Sequence, residues 1–234
     1  DQRGPGFCPS VYEISRHTVR RPCETHTATS RHRATVASVL PEVAPGTRLL
    51  GITGAPGAGK STLAAALGLP VVPMDGFHYA DVELVRRGLL DRKGAPETFD
   101  APGYAALLHR VRAGEDDVVA PAFERDLEQP LAGAIFVPPT GTVVTEGNYL
   151  LLDESRWHAV RRELDLVWHV VADEAVRVER LVARHVEFGK TPDRARAWVA
   201  RVDEANARLV EAARDRADLV VDLSAWAPPR TPPA

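Results

Sequence analysis

The chain has 234 residues, of which 44% are hydrophobic and 26% charged, and its formal net charge is −3 at pH 7. This composition is typical of a globular domain with a sizeable core, and the acidic balance argues against a duplex-DNA-binding protein. No apolar run reaches the length of a membrane span, and the polar N-terminal segment does not resemble a secretory signal. Cys8 and Cys23 could pair, but we expect free thiols and a cytoplasmic protein.

The chain divides into three segments by composition. Residues 1–33 lack periodicity and contain scattered prolines, so we expect a disordered or non-native N-terminal tail. Residues 34–226 form a single predicted domain that starts with a short helix over Ala34–Leu40. Residues 227–234 are proline-rich and are predicted to be a loose C-terminal tail.

Continuous β-branched runs alternate with amphipathic helices along the predicted domain. Strands are predicted over 48–53, 71–74, 142–145, 166–171 and 219–223. Helices are predicted from residue 63 and over 81–89, 104–112, 157–163, 173–188 and 192–216. The segment 118–138 is broken by prolines and is predicted to be irregular, with short strands. The alternation indicates a three-layer α/β/α fold with a mostly parallel sheet, whose ligands bind beyond the carboxyl ends of the strands.

The first core strand runs directly into a phosphate-loop pattern, G-x-x-x-x-G-K-[ST], with no mismatch. Its glycines let the backbone turn tightly, so that successive N–H groups face one concavity and can cradle phosphates. Lys60 can reach the β- and γ-phosphates, and the Ser61 hydroxyl can ligate Mg²⁺. An ordinary glycine-rich turn is the weaker interpretation, so we predict nucleotide binding by Gly54, Ala55, Pro56, Gly57, Ala58, Gly59, Lys60, Ser61 and Thr62.

Two carboxylates follow predicted strands and should converge on the same crevice. Asp75 comes just after the second strand, where it could accept a proton from a substrate hydroxyl that attacks phosphorus, although it could also cap the next helix. Gly76 would let the chain turn sharply there. Glu146 ends the strand that begins at Thr142, where it could bind Mg²⁺ or be an exposed charge.

Arginines recur on one face of the helix predicted over 173–188. Arg177, Arg180 and Arg184 are spaced i, i+3 and i+7 and could stabilise charge on a triphosphate. A solvated face paired with Glu174 and Glu187 is an equal alternative. The segment that follows contains Gly189 and is typical of a mobile lid, so the sequence predicts an arginine-bearing helical lid.

Polar segments beside these motifs supply candidate contacts to a substrate. The segment 92–100 combines cations and acids, and the segment 123–126 is a similar polar insertion. Surface turns or local structure would account for many of these residues equally well. The candidates are His78, Arg92, Lys93, Phe99, Arg125, Asn148 and Tyr149.

The motifs at 54–62, 74–78, 92–100, 145–151 and 180–185 occur in the order of a known family. Together they resemble the phosphoribulokinase/uridine kinase family of P-loop kinases, which includes bacterial pantothenate kinase, over about residues 46–224. The likeness is greatest to the bacterial nucleoside/nucleotide kinase-like branch. The aromatic-rich hairpin of uridine kinases and the substrate signature of pantothenate kinase are not evident, so nucleosides, pantothenate and sugars stay open as acceptors.

The resemblance implies transfer of a phosphoryl group from ATP, with Mg²⁺, to a hydroxyl group of a small molecule. It implies that Asp75 is the base, that Arg180 and Arg184 contact phosphates, and that Glu146 lies near the metal and the substrate. We expect no nucleic-acid or membrane partner, and a homodimer is left open. One alternative is a regulatory nucleotide switch that activates water. Another is a nucleotide-binding protein without catalysis, and the presence of Lys60, Ser61 and Asp75 disfavours this second alternative.

Overall fold

The computed structural model describes residues 32–35 and 40–226. Cys8, Cys23 and the predicted C-terminal tail at 227–234 lie outside these ranges, and so does most of the predicted N-terminal tail. Within the described residues the strands are β1 (His32–Thr35), β2 (Leu49–Gly54), β3 (Val71–Pro73), β4 (Val118–Glu124), β5 (Gln129–Val137), β6 (Val143–Glu146), β7 (Leu166–Val171) and β8 (Leu219–Asp222). The helices are α1 (Lys60–Ala66), α2 (Asp81–Arg87), α3 (Ala101–Ala113), α4 (Ser155–Glu163), α5 (Glu174–Glu187), α6 (Pro192–Trp198) and α7 (Glu204–Ala212).

Six strands form a parallel sheet in the order β1-β8-β7-β2-β6-β3. The strand that precedes the phosphate loop, β2, lies between β7 and β6, and all of its residues are buried. A parallel strand covered on both faces needs apolar side chains throughout, which explains its continuous hydrophobic run. The carboxyl ends of β2, β3 and β6 therefore meet at one edge of the sheet, as the sequence predicts.

Helices cover both faces of this sheet and bury two separate cores. Leu108 of α3, Trp157 of α4 and Val210 of α7 belong to the larger core. Leu63 of α1 packs with residues of β7 and β8, such as Val170, in the other core. The three-layer α/β/α fold is thus confirmed. In the described part of the chain, no helix combines the length and the apolar character needed to cross a bilayer.

The segment predicted to be irregular with short strands, 118–138, forms an antiparallel hairpin of β4 and β5. Its pairing is shifted between Ala120 and Ala122, where Pro121 cannot donate a ladder hydrogen bond. Pro121 interrupts the alternating pattern by which a strand is recognised in the sequence. The hairpin backbone also lies against the turn after β3, because a Cβ atom on Gly76 would come within 2.3 Å of the Pro121 carbonyl oxygen. Gly76 is therefore required for this close approach.

Two helix predictions are wrong in detail. The helix expected over Ala34–Leu40 is contradicted at Ala34 and Thr35, which lie in β1 and pair with β8, because strand pairing overrides weak local propensity. The single helix predicted over 192–216 is divided by a π-helical turn at Val199–Asp203 and ends at Ala212. A π turn rotates the side chains that follow it, so it changes which neighbours they contact. The predicted N-cap Asp173 of α5 is confirmed, since its carboxylate accepts hydrogen bonds from Ala175 and Val176.

Candidate active site

A cavity of about 430 Å³ opens at the phosphate loop, and we call it the loop cavity. The loop itself forms one wall, α5 contributes arginines to another, and residues after β8 close a third. This cavity brings together predicted phosphate-binding and lid residues that are far apart in the chain. Its lining residues are Gly57, Gly59, Lys60, Ser61, Thr62, Arg125, Arg180, Leu181, Arg184, Leu223 and Trp226.

The loop glycines take backbone conformations that other residues avoid. Gly57 has φ of +78° and Gly59 has φ of +99°, both in the left-handed region. A Cβ atom on Gly57 would also lie 2.8 Å from the Arg177 carbonyl oxygen. The concave backbone therefore depends on glycine at these positions, and it has the form that a phosphate cradle needs.

Lys60 is buried, and its ammonium donates hydrogen bonds to the carbonyl oxygens of Gly54 and Ala55, at 3.0 and 3.1 Å. Burial lowers the pKa of Lys60 to about 8, although the nearby carboxylates of Glu146 and Asp75 act to raise it. These two carboxylates supply opposite charge close to a desolvated cation. The Lys60 ammonium is therefore placed to contact an anion that binds at the loop.

Ser61 at the end of the phosphate loop contacts Glu146 at the end of β6. The Ser61 hydroxyl donates a hydrogen bond to Glu146 Oε1 at 3.1 Å. Burial raises the pKa of Glu146, and the carboxylate of Asp75 raises it further. The carboxylates of Asp75 and Glu146 thus face one small volume with the Ser61 hydroxyl, and a cation between the two carboxylates would relieve their mutual repulsion. Oxygen ligands of this kind fit Mg²⁺, so the residues present suit the predicted metal.

A second cavity of about 330 Å³ lies beside the first, between the β4–β5 hairpin and the helices after β7, and we call it the hairpin cavity. Asp75 lines it, and Arg125 Nη2 lies 3.9 Å from Asp75 Oδ2. Pro56, Glu146 and Asn148 line it as well. The two cavities share Gly57, Lys60, Ser61, Arg125 and Arg184, so they meet at the loop lysine.

Aromatic rings form part of the hairpin cavity wall. The His78 ring centroid lies 3.9 Å from that of Phe99 and 4.9 Å from that of Phe123. His78 Nδ1 donates to the Asp75 carbonyl oxygen at 2.8 Å, and burial lowers the pKa of His78. A neutral imidazole with its proton on Nδ1 leaves Nε2 as an acceptor. Lys93 also lines this cavity and pairs with Asp81 at 2.7 Å.

Three predicted residues lie elsewhere. Arg92 pairs with Glu97 at 2.6 Å and does not line either cavity. Tyr149 is fully buried and donates to the Gly94 carbonyl oxygen, so it supports the loop around residue 94 from inside the core. Arg177 does not share the exposed arginine face.

Arg177 is instead buried behind the phosphate loop. Its guanidinium donates to the Pro56 carbonyl oxygen at 3.2 Å and to Glu204 Oε1 at 2.5 Å. Ala55 and Ala58 of the loop line a groove on this same side. Arg177 therefore holds the loop in place and differs from Arg180 and Arg184, which line the loop cavity.

Sequence reasoning missed most of the hairpin cavity wall that is formed by the end of α5 and the residues after it. These residues lie near the π-helical turn, whose position no sequence signal marks, and only the glycine at 189 pointed to the segment. The lining residues concerned are His185, Phe188, Lys190, Trp198, Val202, Asp203 and Asn206. Trp226 and Leu223 of the loop cavity were also missed.

No protein-family model matches the chain. "Uncharacterized protein YggC" of Escherichia coli K12 is 33% identical over 180 residues, which are 72% of this chain and 75% of that protein. "Putative uridine kinase C227.14" of Schizosaccharomyces pombe is 31% identical over 192 residues, 74% of this chain and 82% of that protein. Among solved structures, the "putative fructose transport system kinase" of Silicibacter sp. TM1040 is 42% identical, with a TM-score of 0.66 over 77% of this chain and 92% of that one.

The fold and the two joined cavities define a P-loop kinase, an ATP-dependent enzyme that acts on small molecules. The extent of the likeness to these relatives then identifies the family. The chain belongs to the phosphoribulokinase/uridine kinase family.

Proposed function

We propose that the chain transfers the γ-phosphoryl group of ATP to a hydroxyl group of a sugar-like small molecule, with Asp75 as the base. The observation that carries the proposal is the junction of the two cavities at Lys60, with Asp75 on the hairpin side of it. This arrangement supports binding of the phosphate donor in the loop cavity and of the acceptor in the hairpin cavity.

Asp75 accepts the proton of the acceptor hydroxyl while that oxygen forms a bond to the γ-phosphorus and the bond to ADP breaks. Lys60 neutralises charge on the donor phosphates. Arg180 and Arg184 extend from α5 into the loop cavity and stabilise charge on the transferring group. Arg125 lines both cavities, so it can contact the group in transfer from the acceptor side.

Residues 54–62 would hold the donor phosphates, and Ser61 and Glu146 would hold Mg²⁺. When bound, this ion neutralises phosphate charge and orients the phosphates. The contact of 3.1 Å between Ser61 and Glu146, and the raised pKa of Glu146, support this assignment.

An organic acceptor accounts for the hairpin cavity better than water does. Its volume of about 330 Å³ is about tenfold the share of one water molecule in the liquid. Asp75 and Asn148 can bind hydroxyl groups, and the rings of His78, Phe99 and Phe123 can pack on carbon-bound hydrogens. The solved structure named as a "putative fructose transport system kinase" supports a sugar-like acceptor, and its likeness favours a kinase over a nucleotide switch.

The test is the Asp75→Asn variant, assayed for ATP consumption with a panel of sugars, nucleosides and pantothenate, followed by identification of the phosphorylated product. We expect the rate of transfer to fall about 10²- to 10⁴-fold, because general-base assistance is lost. ATP affinity, measured by calorimetry, should stay nearly the same. Asp91→Asn, at an exposed carboxylate that does not line either cavity, is the matched control. A normal rate of transfer in Asp75→Asn would contradict the proposed base.

A further inference from the structure

We call the part of the hairpin cavity that is lined by the end of α5 and by the residues after it, from 185 to 206, the lid wall. It carries three polar side chains, in contact with one another, that the proposed function does not use. His185 Nε2 lies 2.9 Å from Asp203 Oδ2, and Lys190 Nζ lies 3.3 Å from His185 Nδ1. The side chains of His185 and Asp203 are only 16% and 11% exposed. All three residues line the cavity.

The contact between Lys190 and His185 requires a donor and an acceptor. An ammonium group has only donors, so His185 Nδ1 must accept from Lys190. His185 Nε2 then carries the proton and donates to the Asp203 carboxylate. The imidazole thus contacts one of the three N–H groups of the Lys190 ammonium, which leaves the others for a ligand.

Lys190 differs from Lys93 and Arg125, two other cations that line the hairpin cavity. Lys93 is already paired with the Asp81 carboxylate, and Arg125 faces Asp75. Among residues 40–226, no carboxylate oxygen lies within 4 Å of Lys190 Nζ. Glu128 lines the cavity too, but it belongs to the hairpin wall, where Lys93 donates to its backbone carbonyl oxygen.

The ammonium of Lys190 is also confined from the other side. It lies 5.1 Å from the centroid of the Trp198 ring, and Lys190 is itself partly buried. A partly desolvated cation held between an imidazole and an aromatic ring binds an anion more strongly than a solvated lysine does. This environment is typical of a specific contact to a carboxylate or phosphate group.

From this geometry we propose that the acceptor carries an anionic group, a carboxylate or a phosphate, and that Lys190 binds it. The inference rests on the proposed function, because it assigns the hairpin cavity to the acceptor. His185 and Asp203 act as positioning residues that orient the ammonium. The acceptor hydroxyl then lies at Asp75 and its anionic group at the lid wall.

Three sets of compounds test the inference, and each set compares a neutral compound with an anionic counterpart. The sets are fructose with its monophosphates, uridine with its monophosphate, and pantothenol with pantothenate. Binding is measured by calorimetry with Asp75→Asn in the presence of a non-hydrolysable ATP analogue, so that the result does not depend on turnover. We expect at least one anionic member to bind more tightly than its neutral partner. The identity of that pair distinguishes a phosphate from a carboxylate. Equal or weaker binding of every anionic member, or binding of none, overturns the inference.

Lys190→Met should weaken binding of the preferred anionic compound about 10- to 100-fold, since one charge-assisted hydrogen bond is lost. In the unmodified active site the same change should raise KM for that compound and leave KM for ATP unchanged, while Lys190→Arg should restore most of the affinity. Arg201→Met is the matched control, because Arg201 also lies over the Trp198 ring, at 5.4 Å, but does not line the cavity. Equal losses in Lys190→Met and Arg201→Met, or no loss in Lys190→Met, would overturn the inference. Failure of the proposed function would appear separately: the unsubstituted protein would bind the anionic compound but would not transfer a phosphoryl group to it.

Discussion

The loop cavity takes much of its wall from one continuous stretch, residues 57–62, whereas the hairpin cavity takes side chains from segments spread between residues 56 and 206. The first relies on backbone conformation, as the positive φ angles of Gly57 and Gly59 illustrate. The second relies on side chains such as Phe123 and Lys190 that meet only after folding. A motif can therefore specify the loop cavity, whereas the hairpin cavity can change its chemistry without altering that motif.

The largest expected effect comes from Lys60→Met, which removes the buried ammonium at the junction of the cavities. We expect kcat to fall about 10³-fold, because a preorganised positive group near the transferring phosphoryl group is lost. Acceptor affinity, measured by calorimetry, should change by less than about twofold. A large loss of acceptor affinity would show that the two cavities do not act as separate halves.

Arg177→Met tests whether the loop cavity depends on the buried contacts of Arg177 with Glu204 and Pro56, which we call the Arg177 brace. The change removes a buried partner of Glu204 and of the Pro56 carbonyl oxygen, and the two side chains of the ion pair are only 7% and 23% exposed. We expect a loss of about 2 kcal/mol in the free energy of unfolding, hence a drop of about 4–8 °C in Tm.

The control for this loss is Arg196→Met, which breaks an exposed ion pair with Asp193 and should change stability by less than about 0.5 kcal/mol. Differential scanning calorimetry on both variants provides the measurement. Equal Tm values for Arg177→Met and Arg196→Met would rule out the brace.

The smallest effect is expected from Phe123→Ala on the hairpin. Loss of the ring should raise KM for the acceptor about tenfold, because a packing surface of the hairpin cavity is removed. KM for ATP should not change. Phe136→Ala is the control, since Phe136 is on the same hairpin but is 62% exposed and does not line the cavity. Steady-state kinetics with each substrate varied in turn would separate the two outcomes.

The same contrast explains which features could be predicted from the sequence. The parallel sheet follows from its buried apolar strands, and that topology places Asp75 and Glu146 at one edge with the phosphate loop. The pairing of β4 and β5 into a hairpin was not predicted, because Pro121 interrupts the alternation of β4. Tyr149 follows a motif strand and was assigned to the substrate, yet its ring packs 5.6 Å from that of Phe99 inside the core.

Contacts between distant segments were beyond sequence reasoning for a different reason. Asn206 donates to the Gly94 carbonyl oxygen at 3.4 Å, across more than a hundred residues. Such pairs depend on where helices end and how they rotate, and the π-helical turn at Val199–Asp203 alters that rotation without a residue type that marks it. The lid wall of the hairpin cavity is thus visible only in the folded chain.

The π-helical turn has a mechanical consequence for catalysis. Its last residue, Asp203, holds His185 at the wall of the hairpin cavity, and the next residue, Glu204, holds Arg177, which contacts the phosphate loop at Pro56. One peptide bond joins these two anchors. Any displacement of this peptide unit would move both anchors, so a single short length of backbone couples the wall of the hairpin cavity to the phosphate loop.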